Sequence, residues 1–242
     1  MLTFVTAFLD LCEDRPNVKT FETCFGHFQR MAATGISLVV FISKNYREHI
    51  DALMLENITC ISINLEELDI YKQVLSKDIT MPFIRSENKD TLHFMILMNA
   101  KVEFMKRAMD ICVSSHYVWI DFSIGHVFHN YDSSLRCLEN LSLKDLPELC
   151  SEFPGCWNKG QEYDSIYKKV NWRHCGGFFL MDRESLQKFC TLFFNSFPEI
   201  LETKKTMMWE VNIWHILEME YGWEPGWYKA DHNDSILPWH LI

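Results

Sequence analysis

Short apolar runs rich in Val, Ile, Thr and Phe alternate along this chain with longer stretches in which apolar residues recur every three or four positions. The runs LTFVTAFL, ISLVVFIS, ITCISINL and HYVWIDF have the length and composition of strands. Between them a helical period covers Lys19 to Thr34, stopping at Thr34-Gly35, and Tyr46 to Leu55, stopping at Glu56-Asn57. A much longer helical segment opens with RSENKDT and continues as LHFMILMNAKVEFMKRAMDIC. Leu92 to Met98 is apolar almost all round except for His93, which predicts a helix buried between a sheet and a further layer. Strands and helices in this alternation predict an α/β fold, a mixed but mainly parallel central sheet flanked by helices.

Beyond Phe128 the pattern weakens. Asn130 to Lys169 has mixed polarity and carries Pro147, Pro154, Gly155 and Gly160; a short helix is expected around Asp145 to Glu152, within an active-site excursion or a subdomain insertion. Order returns with NWRHCGGFFLMDRESLQKFCTLFF, which predicts strand, Gly-Gly turn or bulge, strand and helix. The segment TKKTMMWEVNIWHILEMEYG predicts another helix, ended by Gly222. There is no internal repeat and no low-complexity tract.

Composition narrows the function classes. The 242 residues are 48% hydrophobic, enough for a sizeable core, and the formal net charge is −10 with no basic block. That balance weighs against electrostatic binding to nucleic acid or an anionic bilayer, and an anionic ligand would need a local positive pocket. Nine cysteines, an odd number without CxxC pairs, weigh against a disulfide framework or a structural zinc site and favour a reducing cytoplasmic setting. The N-terminal MLTFVTAFLDLC has the hydrophobicity of a signal peptide but neither its positive start nor its small-residue cleavage site, so it is expected to be a buried strand. No other apolar run approaches the roughly 18 residues of a membrane span.

Four features carry candidate chemistry. In YVWIDFSIGH an apolar strand runs into a carboxylate, Asp121, which either caps the following turn or binds a metal or sugar hydroxyl beyond the strand's carboxyl end. Gly176-Gly177 interrupts an apolar strand, as a bulge or because another group lies close against the backbone. The aromatic C-terminal string contains Asp231, His232, Asn233 and Asp234, a set that suits a divalent ion or a turn. Trp223, Trp227 and Trp239 are expected to pack over an apolar edge. Glu210, near a helix start, either complements the helix dipole or is poised by its aromatic neighbours as a general base. Lys101, one turn beyond the apolar stretch, either snorkels to the surface or reaches a ligand at the sheet edge.

Taken in order, these features resemble the GT-A fold of nucleotide-sugar-dependent glycosyltransferases, and in particular the HtrL/YibB-like family. The resemblance runs through FVTAFLDL, NKDT with NAK, WIDFSIGHV, HCGGFFLMD and ADHNDSIL, nearly the whole chain. It implies a single domain over residues 1–242, with a nucleotide-sugar half at 1–128 and, at 129–242, an acceptor half ending in a tail that covers metal and donor. It implies that a UDP-sugar or related donor lies against Thr6, Ala7 and Phe8, and that Asp121-Phe122-Ser123 stands where the fold carries a D-x-D motif, with Ser123 in place of the second carboxylate. His232 would complete a site for Mn2+ or Mg2+. Gly176 and Gly177 would line the sugar and acceptor pocket, and Glu210 would be the base of an inverting enzyme. Arg85, Lys89 and Lys101 would supply the positive pocket, and Asn99 would bond the ribose or sugar. The expected function is transfer of a hexose or deoxyhexose from a nucleotide diphosphate to a glycan hydroxyl. A non-catalytic nucleotide-sugar or glycan binder on the same fold is one alternative. A sugar nucleotidyltransferase is another, but it would carry a Gly- and basic-rich loop after the first strand, where this chain has DLCEDRPNVK.

Overall fold

The computed structural model describes residues 1–11 and 20–242. The loop DLCEDRPNVK from Cys12 onward, and the expected helix start at Lys19, lie outside the described residues. Strand β1 (Leu2–Phe8) is followed by helix α1 (Phe21–Ala32), capped where the Thr20 side chain accepts from the Thr23 N–H. Next come β2 (Leu38–Ile42), α2 (Arg47–Asp51), β3 (Ile58–Ser62) and α3 (Asp69–Leu75). The long helical segment forms two helices, α4 (Leu92–Asn99) and α5 (Lys101–Ile111), that meet at Ala100, and it leads into β4 (His116–Ile120). The remainder is α6 (Tyr131–Leu143), β5 (Ser151–Gly155), β6 (Phe178–Asp182), α7 (Arg183–Lys204), α8 (Glu210–Glu220) and β7 (Gly226–Lys229).

The seven strands form one sheet in the order β3-β2-β1-β4-β6-β5-β7. Neighbours pair in parallel except around β6, which runs antiparallel to both β4 and β5. Alternation along each strand sends side chains to two separate cores, because successive residues point to opposite faces. Val5, Val39, Phe41, Trp119 and Phe179 pack with residues of α3, α4, α5, α7 and α8. Phe4, Val40, Val118, Ile120 and Phe178 pack with α1 and α6 on the other face. A sheet covered on both faces explains why its strands read as continuous apolar runs. The expected α/β class, mixed and mainly parallel, holds.

The second half departs from the expectations. The short helix around Asp145 to Glu152 is absent: Pro147 interrupts it, Leu149 has a φ of 58°, and the segment enters β5. The helix lies earlier, at α6, capped by Asn130 and facing the core with Ser134, Cys137, Leu138 and Leu141. The expected strand NWRHC is irregular, and Gly176-Gly177 form the turn that enters β6. Among the described residues no helix is long and apolar enough to cross a membrane.

Candidate functional site

In an open sheet a ligand crevice forms beyond the carboxyl ends of strands where the connections change direction. Here that point lies between β1, whose next strand is on one side, and β4, on the other. Asp121 immediately follows β4, and its N–H donates to the carbonyl of Gly177 at 2.9 Å. Its side chain is 33% exposed, and Oδ1 accepts from Trp119 Nε1 at 2.8 Å.

The second group on Oδ1 is the ammonium of Lys101, 3.1 Å away. Lys101 is 1% exposed and does not snorkel. Its Nζ also donates to Glu210 Oε1 at 2.9 Å and to the Gly176 carbonyl at 2.8 Å. Burial disfavours the ammonium, but Asp121 and Glu210 outweigh it and hold the Lys101 pKa above the ordinary lysine value. Glu210, 5% exposed, opens α8. One buried cation thus bridges two carboxylates from opposite halves of the chain.

The glycine pair is explained by closeness. A Cβ at Gly176 would overlap Glu210 Oε1 and lie 3.1 Å from Lys101 Nζ. At Gly177 it would lie 3.1 Å from Ile124, 3.2 Å from Ile236 and 3.5 Å from Asp121 Oδ2. The group lying against the glycines is therefore the carboxylate cluster itself, with the C-terminal tail over it through Ile236.

Other predicted residues are placed differently. Asn99 is wholly buried, and its amide donates to the carbonyls of Met95 and Met208, both at 2.8 Å, so it ties α4 to the approach to α8 rather than facing a ribose. Each residue of the expected positive pocket has a partner of its own. Arg85 donates to the Pro82 carbonyl and lies 3.8 Å from Glu87, Lys89 is exposed with its ammonium 5.9 Å from the centre of the Phe94 ring, and Lys101 is engaged by the carboxylates. Thr6 is fully buried with its hydroxyl lacking a hydrogen-bond partner among the described residues, and Ala7 is half-buried. Phe8 packs against Phe122, the residue after Asp121, at 5.2 Å between ring centres. Ser123 is half-buried, and its carbonyl accepts from His126 N and Nδ1.

The polar tail acts first as a tether. Asp234 accepts from the N–H groups of His129 and Asn130 and from the Ser134 hydroxyl at 2.6 Å. Asn233 caps Ser235, and Asp231 accepts from its neighbour His232 N–H. His232 is exposed, its ring 5.5 Å from that of His126. Asp121 Oδ1 is already bound to an ammonium and an indole, and no three His, Cys, Asp or Glu side chains converge among the described residues.

Sequence reasoning missed three features. Trp119, on β4, is two residues before Asp121, and the alternation of the strand carried one step beyond its end puts both on one face, a spacing that was legible in principle. The Lys101 to Glu210 contact joins residues far apart in sequence and has no local signal. The third is a buried network behind the glycines: Arg173 donates to both oxygens of Glu218 at 2.8 and 2.7 Å, and His174 Nε2 lies 3.4 Å from the same carboxylate. Burial opposes ionisation of Glu218, but the His174 and Arg173 contacts win and hold its pKa at about 2. The network fixes the segment that leads into Gly176.

No protein-family model and no curated protein matches the chain. Among solved structures, the chain is similar to a glycosyltransferase involved in the glycosylation of the major capsid of PBCV-1, at 10% identity and a TM-score of 0.45, over 95% of this chain and 81% of that one. It is also similar to 4-diphosphocytidyl-2C-methyl-D-erythritol synthase from Anaerococcus prevotii, at 7% identity and a TM-score of 0.44, over 98% and 91%. These are likenesses of outline, and nothing about activity rests on them. The strand order, with its one reversed strand, makes this a mixed, mainly parallel α/β sheet.

Proposed function

We propose that this protein is a nucleotide-sugar-dependent glycosyltransferase of the kind met in the HtrL/YibB-like family, moving a hexose or deoxyhexose onto a glycan hydroxyl, with a UDP-sugar the favoured donor. One observation carries the reading: two carboxylates, Asp121 and Glu210, are held by one buried ammonium at the carboxyl end of the central strand, beneath a turn with no side chains. Apolar packing of similar volume is often at least as stable as a buried ion cluster. A cluster kept at the ligand end of such a sheet points to a site. Carboxylate oxygens accept from sugar hydroxyls, and Asp121 Oδ2 is free of the contacts that hold Oδ1. In this reading Glu210 takes the proton of the acceptor hydroxyl as its oxygen attacks the anomeric carbon, the bond from that carbon to the diphosphate oxygen breaks and the nucleoside diphosphate leaves, and Lys101 positions both carboxylates.

A non-catalytic glycan binder is the second reading, favoured by charge: two carboxylates and one ammonium leave the cluster negative, which suits neutral hydroxyls better than phosphates. Thermal shift with nucleoside diphosphates, nucleotide sugars and neutral oligosaccharides, with and without manganese, separates the two. The transferase reading expects a shift with a nucleotide sugar that Asp121→Asn removes, and sugar transfer that Glu210→Gln slows by roughly 10²- to 10⁴-fold with donor binding intact. Shifts with oligosaccharides alone, and no transfer across a broad donor panel, would overturn it.

A further inference from the structure

We propose that Cys156 and Cys175 are a modification site, a dithiol that low-molecular-weight disulfides convert reversibly to a disulfide at the mouth of the Gly176-Gly177 turn. The two sulfurs lie 3.6 Å apart, on segments that are already hydrogen-bonded to each other. The Cys175 N–H donates to the Pro154 carbonyl at 2.7 Å, and the Cys156 N–H to the Trp172 carbonyl at 2.9 Å. A disulfide needs the sulfurs at about 2.0 Å. Side-chain rotation on a backbone already held in register supplies that approach.

The two thiols differ in the way an exchange reaction requires. Cys156 is half-buried and reachable, whereas Cys175 is only 6% exposed. The contact with Cys175 lowers the pKa of Cys156, and the Lys229 ammonium, which donates to the Cys156 carbonyl, assists. Burial and the Asp231 carboxylate, 3.8 Å from the Cys156 sulfur, oppose this. Cys156 is therefore the attacking thiolate. The pKa of Cys175 is pushed up, first by its contact with Cys156 and then by burial. The first of these causes disappears once Cys156 has reacted, so capping the outer sulfur frees the inner one to act.

The exchange balances as follows. The Cys156 thiolate attacks one sulfur of a small disulfide RSSR, forming a mixed disulfide and releasing RS⁻. The Cys175 sulfur then attacks Cys156, forming the intramolecular bond, and the second R group leaves as RSH with the Cys175 proton. The two protein thiols are oxidised and RSSR is reduced to two thiols. Cys175 adjoins Gly176, whose carbonyl accepts from Lys101, so the bond links the strap after β5 to the backbone under the carboxylate cluster.

The test is to incubate the full chain with glutathione disulfide and glutathione at graded ratios, block free thiols, and map tryptic peptides by mass spectrometry. The expected result is a peptide pair linked through Cys156 and Cys175, with the loss of these two thiols before any other cysteine reacts. Cys175→Ser should trap glutathione on Cys156 as a lasting mixed disulfide, and Cys156→Ser should leave Cys175 reduced. A linked pair involving another cysteine, general glutathionylation without the link, or a Cys175→Ser adduct no longer-lived than on wild type would overturn the proposal. These readouts need no assigned activity, so their failure is separate from failure of the transferase reading.

Discussion

Replacing Lys101 with Met keeps most of the side chain's volume and removes one charge that touches three partners. Glu210, nearly all buried, then loses its ion pair, and the Gly176 carbonyl loses a donor. Breaking a buried pair by removing one member costs about 3–5 kcal/mol. Asp121, one-third exposed, recovers part of its hydration, which sets the expectation near the lower end, about 3 kcal/mol. For a chain of this size that is a fall in Tm of roughly 6–12 °C. Because the folded pKa of Lys101 is raised, its contribution is fully present below the ordinary lysine value of 10.5 and is lost only as pH rises through the folded value, so the loss in the variant spans the neutral range. Urea denaturation followed by tryptophan fluorescence at pH 7 measures it, with m compared between variants. Adding Glu210→Gln to Lys101→Met removes the orphaned charge and should restore about 1–2 kcal/mol. A single variant that loses less than about 1 kcal/mol with unchanged m, or a double variant that restores nothing, would refute the reasoning.

Three further outcomes are expected. Gly176→Ala drives a methyl group into a carboxylate that Lys101 holds in place, and should cost about 1–3 kcal/mol in denaturant titration, whereas a neutral result would show that Glu210 swings away freely. Burial, followed by the neighbouring His174, pushes His215 from 6.5 to about 4, so the unfolded chain binds its proton first and stability drops as pH falls from 6.5 towards 4. His215→Asn should flatten part of that decline, with His174, shifted in the same direction, accounting for the rest; an unchanged slope contradicts the assignment. Asp234→Ala removes the acceptor for His129, Asn130 and Ser134 and should lower stability by about 1–2 kcal/mol while raising amide exchange at residues 129 and 130; unaltered exchange there would mean that the tail is held elsewhere.

Strands β1, β2 and β4 were legible because both faces of each are buried, which leaves an uninterrupted apolar signal, and β3, only half-buried at the sheet edge, was legible from its β-branched composition. Strand β5, SEFPG, carries a proline and only one large apolar residue, and β7 is four residues at the sheet edge, so neither has the composition that marks a strand. Helix α6 escaped notice because its buried stripe includes Ser134 and Cys137 beside two leucines. Asp121, Gly176, Gly177 and Glu210 each stood out locally as residues at odds with their surroundings. Their convergence was not legible, since Lys101 looked equally like a surface lysine and its partners come from distant segments.

The reversed strand β6 also decides how this domain must be made. It covers the edge of β4 and supplies the next edge for β5, so residues 1–128 on their own would carry β4 with one side of its backbone unpaired. An unpaired strand whose residues are all buried in the folded protein is a template for intermolecular pairing. During synthesis that edge stays open until Phe178–Asp182 has emerged, and the long-range closure is slow by its topology. The first half is therefore a fragment prone to aggregate rather than an independently folding unit, and truncations that stop short of β6 should collect in the insoluble fraction.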